Sequence, residues 1–232
     1  DLNSYLEERV QKQKDLNETT LRLYQTQLNP HFLYNTLDTI KWNARIRQIP
    51  EIAVLAENLA VILRKSISSK PFIPLKEELD TIDSYIRIQK IRFSGRFLYE
   101  TEIPDQLEEC MIPKMILQPL VENAIYHGME FMDGDGEIKI RAWKEEENLY
   151  LSVEDNGLGM TEEQVESLFT DTAHVASKRG SGIGVRNVNE RIKLYFGAEY
   201  GLSIESEPDE GTAVKIHLPA VPYEKVLVEK KV

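Results

Sequence analysis

The sequence has almost no cysteine and no long apolar segment. Cys110 is the one cysteine among 232 residues, which excludes an intramolecular disulfide and fits a reducing compartment. The apolar runs all fall short of the roughly 20 residues that a membrane-spanning helix needs. Basic residues are also scarce, since 28 Lys and Arg face 39 Asp and Glu. The resulting net charge of −11 argues against a nucleic-acid-binding surface.

The remaining composition is that of an ordinary globular protein. Hydrophobic residues make up 41% and charged residues 29%, which is enough apolar material for a real core. The length suits one or two domains. Because the chain opens on Asp-Leu-Asn inside a helical pattern, we expect it to be a piece of a longer protein, with a membrane segment among the parts that could precede it.

Two helices are predicted before residue 70. A long first helix covers about residues 1–47, where apolar side chains recur at i, i+4, i+7 and i+11, as in Leu33, Leu37, Ile40 and Ala44. Pro50 then opens a second helix over about 51–68. The first helix is too thinly apolar to be stable alone. We therefore expect two such hairpins to form a four-helix bundle in a homodimer. A solvated helix that frays is the alternative.

From Leu75 onward the pattern changes to α+β, after a linker at about residues 69–75. Without strict βαβ alternation, we expect a sandwich with helices on one face of a mixed sheet. The predicted domains are 1–70, 71–222 and a tail at 223–232. Helices are predicted at about 76–92, 112–127, 162–169 and 183–196, and strands at about 97–103, 137–143, 149–154, 202–207 and 212–218.

His31 is the candidate nucleophile. It follows Pro30 in a helical pattern, with amides one turn away at Gln27 and Asn35. Asn35 can accept a hydrogen bond from Nδ1–H and leave Nε2 free to attack, and Gln27 could do similar work. Pro30 permits a bend in the helix. Taken alone, a bundle or surface histidine is the simpler interpretation. Arg64, at the end of the second helix, is expected only to favour the helix dipole.

Two later segments carry residues suited to a magnesium nucleotide. Asn123 lies on a largely apolar helix, and its amide oxygen is a hard ligand suited to Mg²⁺, although a packing amide is an equal alternative. Asp155 follows a strand and can accept a hydrogen bond from an exocyclic amine. Gly157 and Gly159, just before Met160, let the backbone approach a ligand closely. A simple turn explains this second segment as well.

A third segment, Gly180-Ser181-Gly182-Ile183-Gly184, leads into a helix. N–H groups at a helix N-terminus suit phosphate. The spacing and context match neither a Walker loop nor a Rossmann turn. The preceding residues, Thr170 to Ser177, are small and polar, which suits a mobile lid over bound nucleotide. Lys178 and Arg179 are the candidate lid cations, and two solvated surface charges are the alternative.

Together these segments resemble the nucleotide-binding boxes of the GHKL ATPase superfamily. With Gln-Leu-Asn-Pro-His-Phe-Leu-Tyr-Asn upstream, the chain is similar to the cytoplasmic part of YesM/LytS-type sensor histidine kinases, from about Leu21 to Pro219. The resemblance implies that Asn123 binds Mg²⁺, that Asp155 reads the adenine amino group and that Gly157 and Gly159 flank the base. The phosphate-side loop would comprise Gly180, Ser181, Gly182 and Gly184, and we add Met160 and Ile183 to the cofactor-binding set.

The resemblance also implies a function. It predicts ATP-dependent autophosphorylation of His31, followed by transfer to an aspartate on a response-regulator receiver domain. It implies a homodimer and an upstream sensor in a bacterial membrane, with this part in the cytoplasm. A GHKL ATPase or serine kinase that acts on another protein is one alternative. A nucleotide-binding dimeric scaffold without kinase activity is another.

Two positions depart from the pattern common among histidine kinases. Tyr126 stands where a basic residue often follows the metal-binding asparagine, so His127, Lys178 or Arg179 would have to neutralise phosphate. Phe32 stands where an acidic residue often follows the phosphoacceptor. The base is therefore dispensable, supplied by Glu122 or another carboxylate, or absent.

Overall fold

The computed structural model describes residues 30–68, 70–93, 95, 97–129, 136–169 and 181–221. The chain divides into two compact units, Asp1–Ser69 and Lys70–Val232. Several predictions lie outside the described residues: the helix before Pro30 with Gln27, the lid with Lys178, Arg179 and Gly180, and the tail at 223–232. Of the helices that are described, none is long and apolar enough to cross a membrane.

The first unit contains a helical hairpin of α1 (Pro30–Ile46) and α2 (Pro50–Ile67). Pro50 occupies the first helical turn, where its missing N–H costs nothing. The two helices meet through small buried side chains, Ala44, Ala53 and Ala56. Large apolar side chains remain uncovered in the single chain, including Phe32 at 65%, Trp42 at 57% and Ile46 at 79% exposure. Such an apolar surface calls for a partner.

The second unit contains both helices and strands, without strict alternation. Its strands are β1 (Phe72–Pro74), β2 (Phe97–Glu102), β3 (Met111–Pro113), β4 (Gly136–Glu145), β5 (Asn148–Asp155), β6 (Gly201–Glu207) and β7 (Gly211–Pro219). Its helices are α3 (Leu75–Arg92), α4 (Gln118–Asn123), α5 (Glu162–Phe169) and α6 (Ser181–Phe196), with a 3₁₀ turn at Asp105–Leu107 and a π-helical turn at Ala124–Met129 that continues α4.

The main sheet has the strand order β2-β4-β5-β7-β6. Strands β2 and β4 are parallel, and the other neighbouring strands are antiparallel. One face of the sheet is buried with side chains of α3, α4 and α6 in a single core, to which β4 and β5 contribute Ile138, Ile140, Leu149, Leu151 and Val153. The predicted α+β sandwich with a mixed sheet is thereby confirmed.

The predicted helix over residues 112–127 is wrong in its first part. Met111–Pro113 forms β3, which pairs antiparallel with β1 in a segment that was predicted to be linker. Met115 then takes a positive φ of 60°, so helical structure begins only at Gln118. The cause is continuous burial: every residue of β3 is buried, and an unbroken apolar run does not distinguish a strand from a buried helix.

A buried carboxylate holds the start of α4. Glu78, on α3, is 2% exposed. Its oxygens accept hydrogen bonds from the backbone N–H groups of Met115, Leu117 and Gln118, at 2.8, 3.2 and 3.4 Å. These include donors that a helix N-terminus leaves without an intrahelical partner. Burial raises the pKa of Glu78, and the three N–H groups oppose this shift. The position of α4 thus depends on a side chain from α3.

Candidate functional site

Asp155 ends β5 at one end of the main sheet. Its Oδ1 accepts a hydrogen bond from the backbone N–H of Gly157 at 2.9 Å, and the backbone N–H of Thr212 also stabilises the carboxylate. Burial outweighs both bonds and raises the pKa of Asp155 to about 6. A partly buried carboxylate that ionises near neutrality is a strong acceptor for an N–H donor that replaces the lost water.

The loop after Asp155 packs against the β6–β7 hairpin and is hydrogen-bonded to it. Gly159 has a positive φ of 63°, and a Cβ there would lie 1.8 Å from the carbonyl oxygen of Glu207. Two further bonds close the contact: Asp209 N–H to Leu158 O at 2.7 Å, and Met160 N–H to Ser206 Oγ at 2.8 Å. Gly159 is therefore required by the protein's own backbone, which adds a structural reason to the predicted one.

A groove of about 640 Å³ opens beside Asp155. Val165 and Ile204 give it apolar surface, but five glutamates also line it: Glu154, Glu162, Glu205, Glu207 and Glu210. Two of these glutamates are neutralised by ion pairs, Glu154 with Arg141 and Glu205 with Lys215. The remaining negative charge suits the base side of a nucleotide better than its phosphates.

Sequence reasoning missed Thr212, which also lines this groove. Thr212 pairs in register with Asp155 across β7 and β5, and its hydroxyl lies 2.9 Å from Ser206 Oγ. The hydroxyl groups of Thr212 and Ser206 therefore lie near the Asp155 carboxylate, the group predicted to bind the adenine amino group. In the sequence, the dipeptide Gly211-Thr212 directly after the hairpin turn could have drawn attention to Thr212. Only the register of the strands, however, places Thr212 opposite Asp155.

Asn123 is the last residue of α4 and is half-buried. Helix α6 packs against α4, and a Cβ on Gly184 would lie 3.4 Å from Pro119 Cβ. The π-helical turn that follows Asn123 packs against β4, β5 and β7. The structure therefore brings together α4, the first turns of α6 with the backbone of Ser181, Gly182 and Ile183, and the sheet that carries Asp155. For His127, the structure describes the backbone within the π-helical turn.

The donor set near Asn123 suits magnesium bound mainly through phosphate. Within the described residues, no group of three or more His, Cys, Asp or Glu side chains could hold a metal ion. Mg²⁺ is commonly held by one or two protein oxygens together with phosphates and water. A single half-buried amide oxygen therefore fits this role.

Glu122 precedes Asn123 and is half-buried. Its Oε1 accepts a hydrogen bond from Gln118 Nε2 at 2.9 Å, which fixes the carboxylate on the side of α4. The buried Oε1 of Gln118 has no hydrogen-bond partner among the residues that the structure describes. A buried acceptor of this kind is one that water commonly satisfies.

His31 and Asn35 are in contact on the exposed side of α1. Asn35 Nδ2 lies 3.2 Å from His31 Nδ1. In this rotamer the amide donates, so Nδ1 accepts and Nε2 carries the proton, which is the reverse of the predicted polarity. Rotating the Asn35 amide by half a turn would place Oδ1 opposite Nδ1. Nδ1 would then carry the proton, and the lone pair of Nε2 would be available to attack. Arg64, expected to serve only the helix dipole, lies 5.4 Å from the centre of the Tyr34 ring.

Comparison with known proteins places this geometry in a class. Residues 112–222 match the family model described as histidine kinase-, DNA gyrase B- and HSP90-like ATPase, and residues 19–97 match the model described as histidine kinase. The histidine kinase domain from Erythrobacter litoralis EL346 covers 83% of this chain, with 94% of that domain aligned, 17% identity and a TM-score of 0.50, a similarity in fold.

Proteins similar in sequence identify the type of histidine kinase more closely. Sensor histidine kinase YesM of Bacillus subtilis is 41% identical over 94% of this chain, and sensor protein LytS of Bacillus anthracis is 32% identical over 94%. The chain spans 36% and 37% of their lengths. The chain belongs to the histidine kinases of the YesM and LytS type, with an ATPase domain of the GHKL superfamily.

Proposed function

We propose that this chain is the catalytic part of a two-component sensor kinase, which phosphorylates His31 with Mg-ATP and passes the phosphoryl group to an aspartate of a response-regulator receiver domain. The observation that carries the proposal is the packing of three elements in one unit: α4, which ends at Asn123, packs against α6, and the π-helical turn that continues α4 packs against β5, the strand that ends at Asp155. The His31–Asn35 contact in the other unit supplies an acceptor. We assign residues 71–222 to ATP binding, residues 1–70 to dimerisation and phosphotransfer, and residues 223–232 to a tail.

Each site residue has a specific role in this proposal. Asp155 accepts a hydrogen bond from the adenine amino group beside the Thr212 hydroxyl, and the loop of Gly157, Gly159 and Met160 shapes the base side. Asn123 ligates Mg²⁺, which when bound offsets the charge of the phosphates. N–H groups at the start of α6 face the phosphates. Further phosphate-side candidates are His127, Lys178, Arg179, Gly180, Ser181, Gly182, Ile183 and Gly184.

The phosphoryl acceptor needs no acidic neighbour. With Asn35 Oδ1 turned toward Nδ1–H, the Nε2 lone pair of His31 attacks the γ-phosphorus. The N–P bond forms, the bond to the β–γ bridging oxygen breaks, and ADP leaves. The proton stays on Nδ1, held by Asn35, and is released to water later. This accounts for the exposed Phe32 at the position where an acid is often found.

The remaining features of the proposal concern assembly and location. The uncovered apolar side chains of the α1–α2 hairpin support a homodimer through a four-helix bundle. The relatives named as sensors support a sensor region elsewhere in the protein. We place that region in a membrane and this part on the cytoplasmic side as part of the proposal. Sedimentation should then give a dimer for the whole chain.

The decisive experiment is incubation with γ-labelled ATP and Mg²⁺. Wild type should incorporate label that is labile to acid and stable to alkali, whereas His31→Gln should incorporate none. Asn35→Ala should slow labelling about tenfold, because a neutral hydrogen bond that sets the tautomer is lost. Asn43→Ala is the matched control, since the Asn43 side chain donates to the carbonyl of Thr39 on the same helix.

The outcomes separate the alternatives. Label that persists in His31→Gln would contradict the proposal, and alkali-labile label would favour a serine kinase. Binding of ATP without any label transfer would favour the nucleotide-binding scaffold. Asn123→Ala should abolish Mg²⁺-dependent ATP binding with the circular dichroism spectrum unchanged, and an unchanged affinity would contradict the metal role.

A further inference from the structure

Tyr126 is joined to an arginine that is 34 residues away in sequence. Arg92, the last residue of α3, donates from Nη1 to the Tyr126 hydroxyl at 3.0 Å. The guanidinium carbon also lies 5.2 Å from the centre of the Tyr126 ring. A cation over the face of an aromatic ring is attracted by the ring quadrupole. Two independent contacts thus fix the Arg92 head group against Tyr126.

This pair lies next to the predicted metal ligand. Tyr126 follows Asn123 by three residues on the π-helical turn, where Ala124 and Ile125 face the core at 3% and 0% exposure. Glu122 and Tyr126 both raise the pKa of the half-buried Tyr85, whereas Arg92 lowers it, so all three side chains act on the same hydroxyl group. Through its hydrogen bond to Tyr126, Arg92 brings its positive charge to the turn that continues α4.

The end of α3 that carries Arg92 is held rigidly. The N–H groups of Phe93 and Gly95 donate to the carbonyls of Gln89 and Lys90, at 2.9 and 2.7 Å. Gly95 has a positive φ of 75°, as is typical of a helix C-cap. The Phe93 and Phe97 rings pack edge to face at 6.4 Å. A charge on such a support loses little entropy when it binds an anion.

We propose that Arg92 is a phosphate-binding residue of the ATP site and that Tyr126 is its positioning residue. The proposal rests on the proposed function. Tyr126 occupies the position where a basic residue was expected, and the Arg92–Tyr126 contact returns a positive charge to that position from another helix. A guanidinium has several N–H donors in a planar fork, so a bond to Tyr126 is compatible with binding phosphate oxygens.

The charge of the surroundings favours this role. The chain has a net charge of −11. A triphosphate requires local cations to overcome such a field. The simpler alternative is that Arg92 only complements the C-terminal dipole of α3, as Lys90 in the same turn also does.

Calorimetric titration of the whole chain tests the proposal without measuring turnover. The ligands are ATP, ADP and adenosine, each with Mg²⁺. Arg92→Ala should weaken ATP binding about tenfold, the value of one charge-assisted hydrogen bond in a partly exposed site. Adenosine binding should be unchanged. Lys90→Ala is the matched control, a basic residue of the same helical turn, and should bind ATP as wild type does.

A rescue variant distinguishes charge from structure. Tyr126→Lys in the Arg92→Ala background returns a cation to the same place and should recover most of the ATP affinity. Tyr126→Phe removes the hydroxyl acceptor and should weaken ATP binding about threefold, again with adenosine unaffected.

Three results would overturn the assignment. They are ATP affinity that is unchanged in Arg92→Ala, equal loss of ATP and adenosine affinity, and an equal effect of Lys90→Ala. If wild type binds ATP and the Arg92 variants bind it with unchanged affinity, the proposed function stands but Arg92 has no part in phosphate binding. If wild type binds no nucleotide, both proposals are wrong.

Discussion

Replacing the buried carboxylate of Glu78 should strongly destabilise the second unit. The carboxylate accepts three backbone hydrogen bonds at 2.8, 3.2 and 3.4 Å from the segment that leads into α4. In Glu78→Ala the short bond to a charged acceptor is lost, at about 1.5–3 kcal/mol, and the two longer bonds cost about 0.5–1.5 kcal/mol each. Removing a desolvated charge returns part of this sum. We expect a loss of about 3 kcal/mol.

Glu78→Gln tests the charge of this side chain separately from its volume. The amide keeps the volume and one acceptor, but its NH₂ group must face a backbone N–H. The free energy of unfolding should fall by about 1–2 kcal/mol, less than in Glu78→Ala. Glu190→Gln is the matched control, because that carboxylate is 67% exposed in α6. It should change stability by less than about 0.5 kcal/mol.

The two tryptophans allow the assay to report on one unit. Trp42 lies on α1 and Trp143 on β4. In a Trp42→Phe background, urea unfolding followed by tryptophan fluorescence therefore monitors the second unit. If Glu78→Ala shifts this transition no more than Glu190→Gln does, the carboxylate does not hold α4 and our reasoning about the helix start is refuted.

Two further predictions concern Asp155 and Gly159. Because burial raises the pKa of Asp155 from 3.8 to about 6, its contribution to stability is full at low pH and is lost as pH rises through that window. Thermal unfolding should show about 3 kcal/mol of this loss in wild type and none of it in Asp155→Asn, and parallel pH profiles would contradict the shift. Gly159→Ala should cost more than about 3 kcal/mol in urea unfolding, because its Cβ would meet the carbonyl of Glu207 at 1.8 Å. Gly95→Ala, with a φ of 75° and no atom of the described residues within 4 Å of the added Cβ, should cost only about 1 kcal/mol, and similar losses for both glycines would rule out the steric explanation.

The local pattern of apolar and polar residues was sufficient to predict most of the helices and strands. The helix predicted at about 51–68 is α2 (Pro50–Ile67), and the helix predicted at 162–169 has the same bounds in α5. These segments have a clear period, and proline or acidic residues mark their starts. The β1–β3 pair was not predictable in this way, because a three-residue strand has no measurable period.

The missed parts of the candidate site depend on contacts between distant residues. Arg92 meets Tyr126 over 34 residues, and Glu78 meets Met115 over 37. Thr212 joins Asp155 only through the register of β5 and β7. Spacing along the chain carries no information on such pairs. The roles of His31, Asn123 and Asp155 stay predictions until they are measured.

Helix α3 holds α4 and its π-helical extension at both ends. Glu78 in its first turn fixes the start of α4, and Arg92 in its last turn contacts Tyr126, roughly 21 Å further along the axis. In chain order, α3 also comes directly after the helical hairpin and β1. A small rotation of α3 about its axis would therefore move the two supports of the Asn123 segment together. A single displacement of this helix would then shift the proposed magnesium ligand, Asn123, and the proposed phosphate-binding residue, Arg92, together.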